Sequence, residues 1–262
     1  MKGQDMGRRD RTVMGGPDRK FETTHWTEIL SARTLDQSRQ REAIGAVLAR
    51  YWKPMYCYLR RKGSNNEEAK DLVQGFCQEI ALGNNLIQQA DPERGRFRTF
   101  LLTSLSRYAS NVRRAGSTRK RSPAGTMFAL DDVAATDMPE LSQEASPDEA
   151  FNYAWASQLI DDVLTAVQTG CRNSGKGAHW EVFRERTVVP LMENTQPPSL
   201  TVLCAKYHIP DEAKASNMII TVKRRFQTEL ARQVRLAVGS DADVQQEIGD
   251  LLKILSHNRA GS

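Results

Sequence analysis

Phe97, Leu101, Leu105, Tyr108 and Val112 are spaced by three or four residues, and at 100° per residue they share one arc of about 80°. A stripe of that width is what a helix buries against a core. The same turns carry a second arc, about 60° wide, of Arg107, Asn111 and Arg114, with Phe100 projecting into it. From Leu101 through Leu130 there is no acidic residue, and Arg119, Lys120 and Arg121 extend the positive run. Guanidinium groups neutralise phosphate and stack on bases, while a flat aromatic offers a platform to an unstacked base, so this face suits nucleic acid. A solvated charged face is the competing reading.

Helical spacing recurs along the chain. Ile44, Val47, Leu48 and Tyr51 predict a helix over about residues 40–51, broken or kinked at Pro54, resumed through Met55, Tyr56 and Leu59, and ended by Gly63. Ser64 followed three residues later by Glu67 has the spacing of a reciprocal cap, so another helix should begin there. Its predicted buried stripe is Ala69, Leu72, Val73, Phe76 and Ile80. Its opposite row is Glu67, Asp71, Gln74 and Gln78, which suits a partner helix or simply water. Further on, Phe151, Trp155, Leu159, Val163 and Val167 predict a helix stopped at Gly170, and Trp180, Val182, Phe183, Val188, Val189 and Leu191 predict the next. A short helix over 199–207, a tight turn at 208–211 and a long basic helix over about 213–235 follow. On that last helix Ala215, Met218, Ile219, Val222, Phe226 and Leu230 form the back, and Lys214, Asn217, Thr221, Arg224, Arg225 and Thr228 the front. Amide, hydroxyl and basic groups over an apolar back are what a major-groove reader needs, since Asn can bond adenine twice and Arg can bond guanine or phosphate. A plain solvated helix would read the same.

The expected fold class is therefore all-α: two small helical domains joined by a flexible acidic linker, the second containing a helix-turn-helix. A length of 262 residues at 39% hydrophobic content accommodates two such cores. The net charge of +5 is unevenly spread, because residues 122–150 contain no Lys or Arg but do contain Asp131, Asp132, Asp137, Glu140, Glu144, Asp148 and Glu149. The expected divisions are a disordered basic tail at 1–20, a first domain at 21–115, a linker at 116–148, a second domain at 149–240 and a helical tail at 241–262. In that tail Val244, Ile248, Leu251, Leu252 and Leu255 form an amphipathic piece that could cap the second domain.

Cys57, Cys77, Cys171 and Cys204 lack the spacing of zinc ligands, so buried thiols are expected, with no metal and no cofactor. Gly170 to Lys176 matches G-x-x-x-x-G-K, but Gly177 stands where Ser or Thr should hold magnesium, and a helix precedes where a strand is required. No paired carboxylates or nucleophile with base stand out, so no catalytic residues are expected and an enzyme is the weakest class. No apolar run is long enough to cross a bilayer and the start of the chain has no apolar signal core, which predicts a cytoplasmic protein without membrane insertion.

Several blocks resemble bacterial RNA polymerase sigma factors of the extracytoplasmic-function branch, in particular the expanded group common in planctomycetes. These are Phe21-Glu-Thr-Thr-His-Trp26, Tyr51-Trp-Lys-Pro-Met-Tyr56, Ala69-Lys-Asp-Leu-Val-Gln-Gly-Phe76, Ala90-Asp-Pro-Glu-Arg-Gly-Arg-Phe-Arg-Thr-Phe-Leu-Leu102, and Ala215-Ser-Asn-Met-Ile-Ile-Thr-Val-Lys-Arg-Arg225 with Phe226. The resemblance implies a non-enzymatic protein whose 21–115 domain is sigma region 2 and whose 149–240 domain is sigma region 4. It implies docking on core RNA polymerase through Glu67, Asp71, Leu72, Gln74 and Gln78. Contact with promoter DNA near minus ten would fall to Arg98, Phe100, Arg107, Asn111, Arg113 and Arg114, and contact at minus thirty-five to Lys214, Ser216, Asn217, Thr221, Lys223, Arg224 and Arg225. An anti-sigma factor or regulatory kinase is the further partner it suggests. The sequence departs from the pattern at Phe100, where the wider family often has Trp, and at Arg113 and Arg114, where the group often shows Trp-Asp. A freestanding helix-turn-helix regulator is the alternative, and it would have no use for the Glu67–Gln78 row.

Overall fold

The structure, a computed structural model, describes residues 35–82, 96–115, 145–238 and 242–259. The expected tail at 1–20 and almost all of the acidic linker lie outside these residues. Among the described residues the regular structure is helical and no strand occurs, so the all-α class holds.

Among the described residues the first four helices are α1 (Gln37–Ala49), α2 (Trp52–Arg61), α3 (Asn66–Leu82) and α4 (Phe97–Arg114). Asp36 opens α1 by accepting from the amides of Ser38 and Arg39. The chain breaks at Arg50–Tyr51, and Pro54 falls in the first turn of α2, where its missing N–H costs nothing. Gly63 then turns the backbone at φ +90°, a conformation open to glycine without a Cβ penalty. The cap of α3 is one residue later than the spacing predicts: Asn65 and Glu68, not Ser64 and Glu67, exchange reciprocal bonds of 2.9 Å. Ser64 is instead buried and receives Arg113 Nη2 at 3.2 Å.

After residue 144 come α5 (Pro147–Asn173), α6 (Gly177–Phe183), a π-helical turn (Arg184–Val188), α7 (Val189–Glu193), α8 (Leu200–Tyr207), α9 (Glu212–Ala237) and α10 (Ala242–Arg259). Ser146 and Glu149 form the capping box of α5, with Pro147 in its first turn. Gly170 does not stop this helix, which runs through to Asn173. The single helix expected over 180–191 is interrupted: Pro190 cannot donate, and the ladder widens to a π turn where Val189 N–H reaches Arg184 O. Leu191 consequently points outward, at 52% exposure, rather than inward.

Packing departs from two separated domains. The core of α1 to α4, with Tyr51, Met55, Leu59, Phe76, Phe97 and Leu101, continues into Phe151, Ala154 and Trp155 of α5, Ala237 of α9 and Leu251 of α10. A second cluster gathers Val163, Val167, Cys171, Trp180, Phe183, Val222, Val234 and Val244. A third, Val182, Leu203, Ile209, Ala215 and Met218, joins α6, α8 and α9. Helix α5 is thus shared, its N-terminal half in the first core and its C-terminal half in the second. Helix α10 contributes to both and does not merely cap the second.

The four thiols are placed as small apolar groups: Cys57, Cys77 and Cys171 are buried and Cys204 half-buried, and no disulfide joins them. Burial pushes the Cys57 thiol up to about 11 and that of Cys77 up to about 12, so both are protonated at neutral pH. Among the described residues no helix is long and apolar enough to cross a membrane.

Candidate nucleic-acid interface

Helix α4 is turned by its buried side. Phe97, Leu101, Leu105 and Ala109 are buried, Tyr108 and Val112 half-buried, so the inward face is rotated from the predicted stripe toward Ala109 and Arg98. Tyr108 lies against Phe76 at 5.5 Å between ring centres, and its hydroxyl occupies the space a Cβ at Gly75 would need, at 2.4 Å. The C-terminal half of α4 is pinned to the turn between α2 and α3. Lys62 Nζ donates to Ser106 Oγ at 3.0 Å, and Arg113 Nη2 donates to Lys62 O and Ser64 Oγ at 3.2 Å each.

This leaves Arg107, Asn111 and Arg114 exposed along one side of α4, with Phe100 half-buried between that side and the core. Phe100 packs on Phe97 at 6.2 Å, so it has an anchored edge and a partly open face. Arg113 is exposed but already bonded to its own chain. Arg98 corrects the expectation of a DNA-facing group. It is 7% exposed, pairs through Nε with Glu247 Oε1 at 2.9 Å, donates to Asn152 Oδ1, and lies 4.6 Å from the ring centre of Trp155. A charged group drawn into the interior must be paired, and α10 supplies the partner, which nothing in the local spacing of α4 foretells.

The second cationic face lies on α9. Ser199 caps α8, accepting from Val202 N at 3.3 Å, and His208 ends it in the left-handed conformation at φ 53°. Asp211 caps α9, accepting from Lys214 N at 2.7 Å. The turn at 208–211 therefore joins two helices that close over Leu203, Ile209, Ala215 and Met218. Lys214, Asn217, Lys223 and Arg224 are exposed on α9, and Ser216 and Thr221 half-exposed. Thr221 Oγ1 bonds back to Asn217 O at 2.8 Å. Arg225 is a second correction to a purely DNA-facing set. Its Nη1 donates to Ser174 Oγ at 2.9 Å and Gly170 O at 3.2 Å, closing the end of α5. Arg224, Arg225, Thr228 and Glu229 line a shallow hollow against Ala166, Val167 and Gly170. Glu229 is committed there, since its hydrogen bond to Arg232 holds its carboxyl below the usual range.

The phosphate-loop spacing at 170–176 is a helix end. Gly175 has φ +68°, and Lys176 N donates to Cys171 O at 2.8 Å, so the backbone is directed to helix carbonyls. On α3, Glu67 and Asp71 are exposed, Gln74 and Gln78 half-exposed, and these four lie on one stripe. Glu67 is 3.9 Å from Lys70. Leu72 is half-buried and packs against the first core.

No family model matches the chain, and no solved structure matches it. Among curated proteins, uracil-DNA glycosylase of Clostridium perfringens strain 13 is 37% identical over 76 residues, 28% of this chain and 33% of that protein. The same protein of strain SM101 is 36% identical over the same length. The chain thus spans about a third of the length of the curated relatives it matches. Those relatives are enzymes by name, and the likeness is partial on both sides.

Proposed function

We propose that this chain is a sigma factor, which binds core RNA polymerase and directs it to promoters without catalytic chemistry of its own, in the cytoplasm. The observation that carries the reading is the occurrence, on one folded body, of two helices with buried apolar backs and exposed cationic fronts. These are α4 with Arg107, Asn111 and Arg114, and α9 with Lys214, Asn217, Lys223 and Arg224. The first has an aromatic at its edge, as strand opening needs; the second follows a short helix and a tight turn, as groove reading needs. The exposed carboxylates of Glu67 and Asp71 on α3, away from both fronts in sequence, support a protein partner there. The motif resemblance of the chain to extracytoplasmic-function sigma factors agrees with all three assignments.

The test is association with purified core polymerase followed by run-off transcription. Asp71→Lys should abolish association while leaving the circular dichroism of the chain unchanged. Unchanged capture of core enzyme would remove the docking assignment, and wild-type association without transcription would leave a decoy. A second reading comes from the partial likeness to uracil-DNA glycosylases, whose name gives DNA as the partner. Incubation with a uracil-containing oligonucleotide separates the two: a sigma factor releases no uracil.

A further inference from the structure

The turn between α5 and α6, with the first residues of α6, brings two basic side chains to the flank of α9. Helix α6 is fixed against α9 by Trp180 and Phe183, which share a cluster with Val222, and by Val182, which packs with Ala215 and Met218. At 100° per residue Lys214, Thr221 and Arg225 fall within about 40° of one another on α9, on the side next to Met218. They therefore form the edge of the cationic front that adjoins α6. Arg225 ties α9 to the end of α5, donating to Ser174 Oγ at 2.9 Å and to Gly170 O at 3.2 Å. Burial, and then the charges of Lys176, Arg225 and Lys214, hold the His179 imidazole below its ordinary range, so the turn, α6 and α9 contribute to one basic cluster. The carboxylates of α9 and its cap are engaged elsewhere: Asp211 accepts from Lys214 N, Glu212 from Thr201 Oγ1 at 2.6 Å, and Glu229 pairs with Arg232. Lys176 N is committed to Cys171 O at 2.8 Å, so an anion here meets side chains and not a loop of amides.

We propose that the α5–α6 turn is a second DNA-contacting element beside α9: Lys176 and His179, with Lys214, take a backbone phosphate of the duplex next to the groove that the α9 front enters. The inference rests on the reading that α9 meets duplex DNA, and it adds an element outside the helix-turn-helix. Contacts to phosphate fix the register of a reading helix without specifying sequence, and a turn packed rigidly on the flank of that helix suits the task. Arg225 is the positioning residue, since its bonds to the end of α5 set the turn against α9. Lys176 and His179, both half-buried, and the exposed Lys214 are left to meet the strand. None of the charges acting on His179 is a carboxylate, so the cluster repels itself and a phosphate relieves that repulsion.

The experiment uses the full chain and a mixed-sequence duplex oligonucleotide, with binding followed by fluorescence anisotropy across a salt series. Lys176→Gln should make the salt slope shallower by about 0.9 and lower the affinity at low salt on the order of tenfold. Lys253→Gln removes the same charge from an exposed position on α10 and should leave the slope unchanged. An unchanged slope for Lys176→Gln beside a shallower one for Arg224→Ala overturns this inference alone, whereas no effect of either variant overturns the reading of α9 with it. Equal changes for Lys176→Gln and Lys253→Gln also overturn it, because overall charge then accounts for the loss. A second readout uses the wild-type chain and so does not depend on a variant folding. The ring-proton resonances of His179, followed by nuclear magnetic resonance over a pH series, should show its pKa rising when the duplex is bound, since a phosphate favours the charged imidazole. A titration that stays in place or moves down overturns the inference.

Discussion

Gly75 shows how one missing methyl group sets the approach of two helices. In an exposed helix Ala would be favoured over Gly by about 1 kcal/mol, yet a Cβ here would stand 2.4 Å from Tyr108 Oη and 3.5 Å from Tyr108 Cζ. Overpacking of that kind costs about 1 to 3 kcal/mol, so Gly75→Ala should lower the denaturation midpoint and Tyr108→Phe in the same chain should recover most of the loss. Urea titration of the two single variants and the double variant checks it; an additive result would mean that the hydroxyl is not the obstacle. The identity of Gly75 was plain in the sequence, but its reason was not, because Tyr108 arrives from a helix beyond the turn region. The same holds for Arg98. A DNA contact at Arg98 is what the family resemblance implies, and only the fold brings Glu247 to it.

At the scale of the element, α9 divides its basic residues between two tasks. Arg224 is exposed, whereas Arg225 donates to Gly170 O and Ser174 Oγ and so closes α5. Arg224→Ala should make the salt dependence of duplex binding shallower by about 0.9, the value of one phosphate contact. Arg225→Ala should change that slope less and cost about 1 to 2 kcal/mol of stability, with faster hydrogen exchange at residues 170–174. Equal slopes for the two variants would mean that the tie to α5 yields when DNA binds. The π turn before α7 is held in a comparable way, for Glu185 accepts from Lys206 Nζ and Tyr207 Oη at 2.6 Å each. The bond from Lys206 keeps the Glu185 carboxyl below its usual range, while burial, and then the bond to Glu185, raises Tyr207 to about 12. Helix boundaries followed local chemistry closely at Ser199, whereas the helix expected from about residue 40 begins at Gln37 behind the Asp36 cap, and the break expected at Pro54 falls at Arg50–Tyr51. They slipped where two candidates stood side by side, as at Ser64 and Asn65, because both residues can cap and tertiary packing chose to bury the serine.

For the whole molecule the deciding element is α5, which passes from the first core to the second. Phe151 is fully buried in the first, so Phe151→Ala should cost about 3 to 5 kcal/mol. Because the helix is shared, tryptophan fluorescence and far-ultraviolet circular dichroism should still report one coincident transition; two separated transitions would show that the cores unfold independently. The sequence by itself determined the helical class, the turn between α8 and α9, and the apolar back of α9, since these depend on spacing within about a dozen residues and on caps that touch their own turn. Only the tertiary structure decided which cationic groups face water and which face carboxylates, and that α5 and α10 bind the expected halves together. Those outcomes rest on pairs such as Arg98 and Glu247, which stand 149 residues apart, and no local period or propensity encodes a contact at that distance.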